Sequence, residues 1–267
     1  MARAALRVFP TPDAIGEELA ARLLSRIDRA RIASRQFLLG WPTGRSPKPL
    51  VAAMARRLAA KPQDLSHVVF VMMDEYLVRR GEGDELGYAP ADAPWSCHWF
   101  ARFEIRDRLN GAVPEPWRVR AESTWFPDPA NPAEYDSRIE AAGGIDYFIL
   151  ASGASDGHVA FNQPGSPRDS RTRIIPLSEQ MRRDNLATFP AFGTLETVPR
   201  HGISVGIETI VKSREAAMIA FGEGKRLTVE RMRGANRYEP DWPATLVHEF
   251  AACDILCDTA ASVGAER

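Results

Sequence analysis

The apolar positions of this chain switch between two spacings, and each switch predicts an element. Ile15, Leu19, Leu23, Leu24 and Ile27 recur at helical spacing, so the stretch from Ala14 to Ala33 is predicted as an amphipathic helix, with Thr11 or Asp13 placed to cap it. The short apolar run from Gln36 to Gly40 reads as a strand. It ends in Pro42-Thr43-Gly44-Arg45-Ser46-Pro47, after which Leu50, Val51, Met54 and Leu58 return to helical spacing. His67 to Met73 repeats the strand signal and runs straight into Asp74-Glu75-Tyr76, so that a carboxylate pair closes it.

Residues 79 to 94 are rich in Gly, Pro and acidic groups and precede an aromatic helix from Trp95 to Leu109; together, around 79–110, they read as a surface excursion suited to a lid. A helix from Ala133 to Ala142 stops at Gly143-Gly144. The β-favouring run Ile145 to Leu150 then delivers the chain into Ala151-Ser152-Gly153-Ala154-Ser155-Asp156-Gly157-His158. Gly202 to Ile207 and Ala216 to Phe221 read as further strands, Gly222-Glu223-Gly224-Lys225 opens a helix to about Met232, and Ala252 to Cys257 is the last strand. Strands alternating with helices predict a Rossmann-like α/β fold: a doubly wound, mostly parallel sheet with helices on both faces and ligands bound beyond the carboxyl ends of the strands. With no internal repeat or low-complexity linker, a single domain over 1–267 is expected.

Composition narrows the partners. Lys and Arg number 34 against 35 Asp and Glu, so no long-range field exists to gather nucleic acid or an anionic membrane surface, and neither is expected as a partner. An anion would have to be held by local chemistry. Cys97, Cys253 and Cys257 are odd in number and lack ligand spacing, which suggests neither a disulfide framework nor a zinc site. The amino terminus lacks a signal-peptide core and no apolar run is long enough for a bilayer, so a cytoplasmic location is expected.

Adjacent side chains on extended backbone point to opposite faces, so only one of Asp74 and Glu75 can serve a given site. Asp74 is either a general base at a strand end or the cap of a turn. Asp156, two residues before His158 on a glycine turn, can orient the imidazole and raise its basicity, a pairing suited to proton shuttling; the plain alternative is a solvated turn histidine. Asn162-Gln163-Pro164 offers amides to a polar ligand or simply good turn chemistry. Thr43, Gly44, Arg45 and Ser46 could present amides, hydroxyls and a guanidinium to a phosphate at a helix start, without the Gly-Lys-Ser/Thr ending of a nucleotide P-loop. Lys225 offers a second cation or is only a solvated lysine. Cys97-His98, between Trp95 and Trp99, reads as core packing, and His67, His201 and His248 as structural. No metal is expected.

Taken in order, these segments resemble the glucosamine-6-phosphate deaminase (isomerase) family, which shares its fold with the 6-phosphogluconolactonases. The matching stretches are Leu39 to Pro47, Met73-Asp74-Glu75-Tyr76, Asp156 to Pro164, Ser170-Arg171-Thr172-Arg173-Ile174, and Gly222 with Lys225. Asp156-Gly157-His158-Val159-Ala160-Phe161-Asn162-Gln163-Pro164 is the most specific and points to the deaminase branch. The resemblance implies a small sugar phosphate as ligand and no cofactor, with a homo-oligomer among the assemblies the family forms. It implies that Asp74 moves a proton between C2 and C1 of the opened sugar. It further implies that His158, oriented by Asp156, opens the ring, and that Thr43, Gly44, Ser46, Ser152 and Lys225 hold the phosphate.

Departures from the family pattern are specific. Gln163 stands where the family completes the set around the histidine with a glutamate; it keeps shape and hydrogen bonding but takes neither proton nor charge. Asn185-Leu186-Ala187-Thr188 stands where a phosphate-binding arginine is expected, leaving Arg45, or the nearby Arg182 and Arg183, to replace it. Arg173 matches an effector-site position whose basic partner is here Ile175. Two other functions remain open at this level: a lactonase-like hydrolase in which His158 activates water without Asp74, and a sugar-phosphate-binding protein without turnover.

Overall fold

The computed structural model describes residues 4–81 and 84–262. Its strands are β1 (Ala5–Phe9), β2 (Phe37–Trp41), β3 (Val68–Met72), β4 (Asp74–Arg79), β5 (Leu86–Tyr88), β6 (Thr124–Trp125), β7 (Tyr147–Ala151), β8 (Arg173–Pro176), β9 (His201–Ser204), β10 (Glu215–Ala220) and β11 (Cys253–Asp258). Seven of them form one sheet in the order β1-β11-β10-β7-β2-β3-β6, and every pairing in it is parallel. The expected α/β architecture is therefore present.

A parallel sheet is buried on both faces, and side-chain alternation divides the apolar residues between them. On β2 and β3, Phe37, Leu39, Trp41, Val68, Phe70 and Met72 pack with the buried sides of the helices Pro12–Ile32 and Lys48–Ala60. Leu38, Val69 and Val71 point the other way, into a core shared with Tyr135 and Ile139 of the helix Pro132–Ala141 and with Val229 and Met232 of the helix Arg226–Gly234. Of the two cap candidates, Thr11 caps the first helix, its hydroxyl accepting from the Ala14 N–H at 3.2 Å.

Three sequence expectations are corrected. The run from Gly202 reads from sequence as a strand of the parallel sheet, but β9 lies in a second, four-stranded sheet, ordered β5-β4-β9-β8, whose pairings are all antiparallel. Asp74 likewise does not close β3. The strand ends at Met72, Met73 passes between the sheets, and Asp74 opens β4 opposite Ser204. The apolar-to-polar switch at Asp74 was legible as a boundary, but a change of sheet leaves no separate mark in hydropathy. The aromatic helix is also interrupted: Cys97–Trp99 and Asp107–Asn110 are α-helical, and Phe100–Arg106 between them is a π-helix.

At the sheet's centre β3, β2, β7 and β10 are neighbours, and because all are parallel their carboxyl ends open onto one edge. The loops after Trp41, Met72, Ala151 and Ala220 are the ones that carry the candidate residues. Their spacing depends on a close approach between β2 and β7, where Gly40 stands opposite Phe148 and a β-carbon at Gly40 would lie 2.5 Å from the Phe148 ring. A Gly40→Ala variant is expected to overpack this position and lose about 1–3 kcal/mol of stability in denaturant unfolding. An unchanged midpoint would show that Phe148 has room to move.

Candidate active site

The four loops and the helix Glu179–Thr188 enclose a cleft of about 540 Å³, lined among others by Thr43, Gly44, Arg45, Ser46, Asp74, Ser152, His158 and Lys225. Each of these residues was singled out from sequence, and the fold brings them together. Asp156 stands behind His158. Gln163 does not line the cleft: its side chain donates to the Pro176 carbonyl (3.0 Å) and accepts from the Ser178 N–H (3.0 Å), bracing the loop after the histidine against β8.

Asp74 and Glu75 divide as strand geometry requires. Glu75 is fully buried and accepts from the backbone N–H groups of Tyr76 (2.7 Å), Cys97 (3.0 Å) and His98 (2.8 Å), while its Oε2 lies 2.5 Å from Nδ1 of His98. It is an anchor for the start of the aromatic helix. Asp74 is 6% exposed and faces the cleft. Burial, with the neighbouring Glu75 charge, pushes its carboxyl up to about 7, against the opposing pull of a Cys97 hydrogen bond and of His158 across the cleft. A carboxyl poised near neutrality can take and return a proton at little driving-force cost.

The Asp156-Gly157-His158 turn is held at both ends. Asp156 Oδ1 lies 2.7 Å from His158 Nδ1 and accepts from the His158 N–H at 3.1 Å. Burial alone would raise Asp156, but the hydrogen bonds from His158 bring it below its ordinary value, so it remains a carboxylate that orients the ring. Gly157 has φ +68, and a β-carbon there would strike the Trp242 ring at 2.5 Å. At Gly153 a β-carbon would come 2.3 Å from His158 Nδ1. Small residues in this turn make room for the pair.

In the loop after β2 Gly44 takes φ +87 as the chain turns toward the helix Lys48–Ala60, and helix starts of this kind favour anions. Lys225 reaches in from the opposite side and donates to the Ser152 carbonyl. Burial lowers its ammonium to about 8, with Asp184 and Asp156 pulling it up and Arg45 pushing it down. Arg45 is exposed at the rim. The two other arginines considered for this role do not contribute: Arg182 donates to the carbonyls of Val198 and Leu195, and Arg183 pairs with Glu179 on the surface.

The segment from Asn185 to Thr188, which the resemblance sets beside the phosphate, belongs to the helix Glu179–Thr188; the helix itself and Asp184 carry no mark in the sequence as a wall of the site. The helix supplies Asp184, Asn185, Ala187 and Thr188 to the lining. Asn185 is buried, and its Nδ2, itself shielded from solvent, has no hydrogen-bond partner. Asp184 accepts from Ser155 Oγ (2.5 Å) and Gln180 Nε2 (3.1 Å). With Asp156 and His158 it forms a trio whose potential metal-ligating atoms lie within 4.8 Å of one another, although the pairings with Ser155 and between Asp156 and His158 already engage them. Cys97, read as packing, places its sulfur 3.3 Å from Asp74 Oδ1.

A parallel sheet whose central strands end in a polar cleft, lined by a carboxyl, a histidine, a lysine and an arginine, defines a small-molecule site of the α/β kind. The chain belongs to the family of glucosamine-6-phosphate isomerases and 6-phosphogluconolactonases, whose model matches residues 10–255. It is 32% identical over 261 residues to a glucosamine-6-phosphate deaminase of Beutenbergia cavernae, covering 96% of this chain and 92% of that one. A deaminase of Rhodopirellula baltica is 33% identical over 258 residues, covering 96% and 94%. Among solved structures, a monomeric glucosamine-6-phosphate deaminase superposes with a TM-score of 0.82 at 22% identity, covering 97% of this chain and 99% of that one. A 6-phosphogluconolactonase from Shewanella baltica gives 0.67 at 19%, covering 96% and 98%. Among the described residues no helix is long and apolar enough to cross a membrane.

Asp74 also carries a stability signature. Its carboxyl is a weaker acid in the folded chain than its ordinary value of 3.8, so folding binds a proton and stability declines as pH rises from 3.8 to about 7, then levels off. Asp74→Asn, neutral at every pH, is expected to melt higher than wild type by a margin that grows across that interval and is constant above it, reaching a few kcal/mol. Thermal melts from pH 4 to 9 measure it, and a pH-independent margin would contradict the burial of a titrating carboxyl.

Proposed function

We propose that the protein is an aldose-ketose isomerase and deaminase acting on a phosphorylated amino sugar such as glucosamine 6-phosphate, with fructose 6-phosphate and ammonia as products. The observation that carries this reading is Asp74: a buried carboxyl poised near neutrality that shares a cleft with the Asp156–His158 pair. Relatives named glucosamine-6-phosphate deaminase align over nearly the whole chain and support it.

In this reading His158, held by Asp156, takes the proton from the anomeric hydroxyl and returns it to the ring oxygen, which opens the sugar. Asp74 then removes the proton from C2 and delivers it to C1, while O1 gains a proton and the nitrogen gives one up, carrying the double bond from C1–O to C2–N through an enolamine. Water adds to the C2 imine and ammonia leaves, so atoms balance with no redox partner. Ionised Asp74 is the reacting form, which burial alone would disfavour. The phosphate is held by the hydroxyls and amides of Thr43, Gly44 and Ser46, by Ser152, by Lys225, and by Arg45 at the rim. Gln163 braces the histidine loop instead of exchanging protons.

Purified protein is expected to release fructose 6-phosphate and ammonia from glucosamine 6-phosphate, and a folded protein that yields neither would overturn the substrate assignment. Asp74→Asn should lower kcat by orders of magnitude. A sugar-lactonase activity that survived this substitution would instead favour the hydrolase reading, which needs only His158. The pH profile of kcat/KM follows from two groups with opposite requirements. Asp74 must be ionised, so activity should rise through about 7. Lys225 must be cationic, so it should fall above about 8. Lys225→Met should remove the alkaline limb, chiefly through KM, and a limb that persists would assign it to another group.

A further inference from the structure

We infer that Cys97 is a positioning residue for Asp74: its thiol donates a hydrogen bond to Oδ1, fixing the carboxylate so that Oδ2 is left to exchange the substrate's proton. The inference rests on the reading of Asp74 as the proton carrier and extends it to a side chain outside the cleft lining.

The geometry is specified from several directions. Cys97 is the first residue of its helix; its backbone N–H is bound by Glu75 Oε1 at 3.0 Å, and Ser96, the cap, accepts from the Trp99 N–H at 3.0 Å. The carboxylate that strand geometry turns away from the cleft therefore holds in place the thiol that serves its neighbour. The sulfur lies 3.3 Å from Asp74 Oδ1 on one side and 3.6 Å from Thr43 Oγ1 on the other. A thiol has one hydrogen. With that hydrogen on Asp74, the Thr43 contact runs from hydroxyl to sulfur, giving a directed chain from the anion-binding loop to the base.

Cys97 is 1% exposed, and burial, with Glu75 and Asp74 nearby, pushes the thiol well above its ordinary range, so it stays protonated and remains a donor at any pH at which the site works. Cys97 is the single hydrogen-bonding side-chain partner of the Asp74 carboxylate among the described residues. The other titratable groups facing Asp74 are Glu75 and Tyr76 on its own strand and His158, backed by Asp156, across the cleft. Of these, Glu75 opposes ionisation of Asp74, while His158 joins the thiol in favouring it.

The test follows the Asp74 carboxyl itself, by carbon NMR of protein labelled at the aspartate side-chain carboxyl, with Asp74→Asn identifying the resonance. In wild type it should titrate near 7. Cys97→Ala, and the bulkier Cys97→Val in case alanine leaves too large a gap, should both move that titration upward by roughly half a pH unit, about a threefold loss of ionised Asp74 at pH 6. Cys97→Ser, which restores a donor, should return it to the wild-type position or below. The acid limb of kcat/KM should move with it. A structural effect of losing the thiol would lower the melting temperature without moving the titration. The inference is overturned if Asp74 titrates in Cys97→Ala and Cys97→Val where it does in wild type, or if Cys97→Ser shifts it upward as far as they do. The titration is read without turnover, so failure of wild type to consume glucosamine 6-phosphate would overturn the proposed function and leave this result standing on its own.

Discussion

Ionising a carboxyl that has been taken out of water is costly, and the cleft is arranged around that cost. Asp74 and Glu75 enter the same buried region side by side, each raising the free energy of the other's charge. The strand sends them to opposite faces, where they meet different environments. Three backbone N–H groups and a histidine converge on Glu75 and fix it in place as a structural acceptor. Asp74 receives one weak donor and a distant histidine, and its carboxyl stays close to the balance point. Generous solvation makes an anchor and sparse solvation makes an acid-base group, from adjacent residues of one chemical type.

The same economy governs the sheet. Four neighbouring parallel strands must end on a common edge, so residues more than 180 positions apart in the chain, from Thr43 to Lys225, share one cleft without any loop crossing the molecule. Asp74 is the exception. It belongs to the small antiparallel sheet, and the single residue Met73 between β3 and β4 is what keeps that sheet in register with the edge of the large one. The Val205 N–H donates to the Met73 carbonyl at 2.8 Å, so the junction is hydrogen-bonded where the chain leaves one sheet for the other.

What the sequence disclosed follows from the range of the forces involved. β2, β3, β7, β10 and β11 are legible because strands buried on both faces must be continuous apolar runs, and the loops after them carry residues whose chemistry is local, such as the Asp156–His158 turn. The short strands β5, β6 and β8 carry too few residues for a period to register. Cys97 read as packing for a sound reason, since it is buried in an aromatic helix, and only the fold reveals that Asp74 is its neighbour across 23 residues. Asp184 and Asn185 lie on a helix whose polar pattern is that of any solvated face. Gln163 matched a motif by position, but its rotamer is set by backbone partners on Pro176 and Ser178 that no local pattern encodes.

Charge balance at the two ends of the cleft links these observations. Burial opposes the cation of Lys225, Asp184 and Asp156 favour it, and Arg45 at the rim opposes it. An arriving phosphate would draw Lys225 toward its charged form and, by the same Coulomb coupling, oppose ionisation of Asp74 at the other end. The donor chain from Thr43 through Cys97 runs against the phosphate's effect, since it places an oriented hydrogen on Asp74 whose influence is local and independent of the ligand's charge.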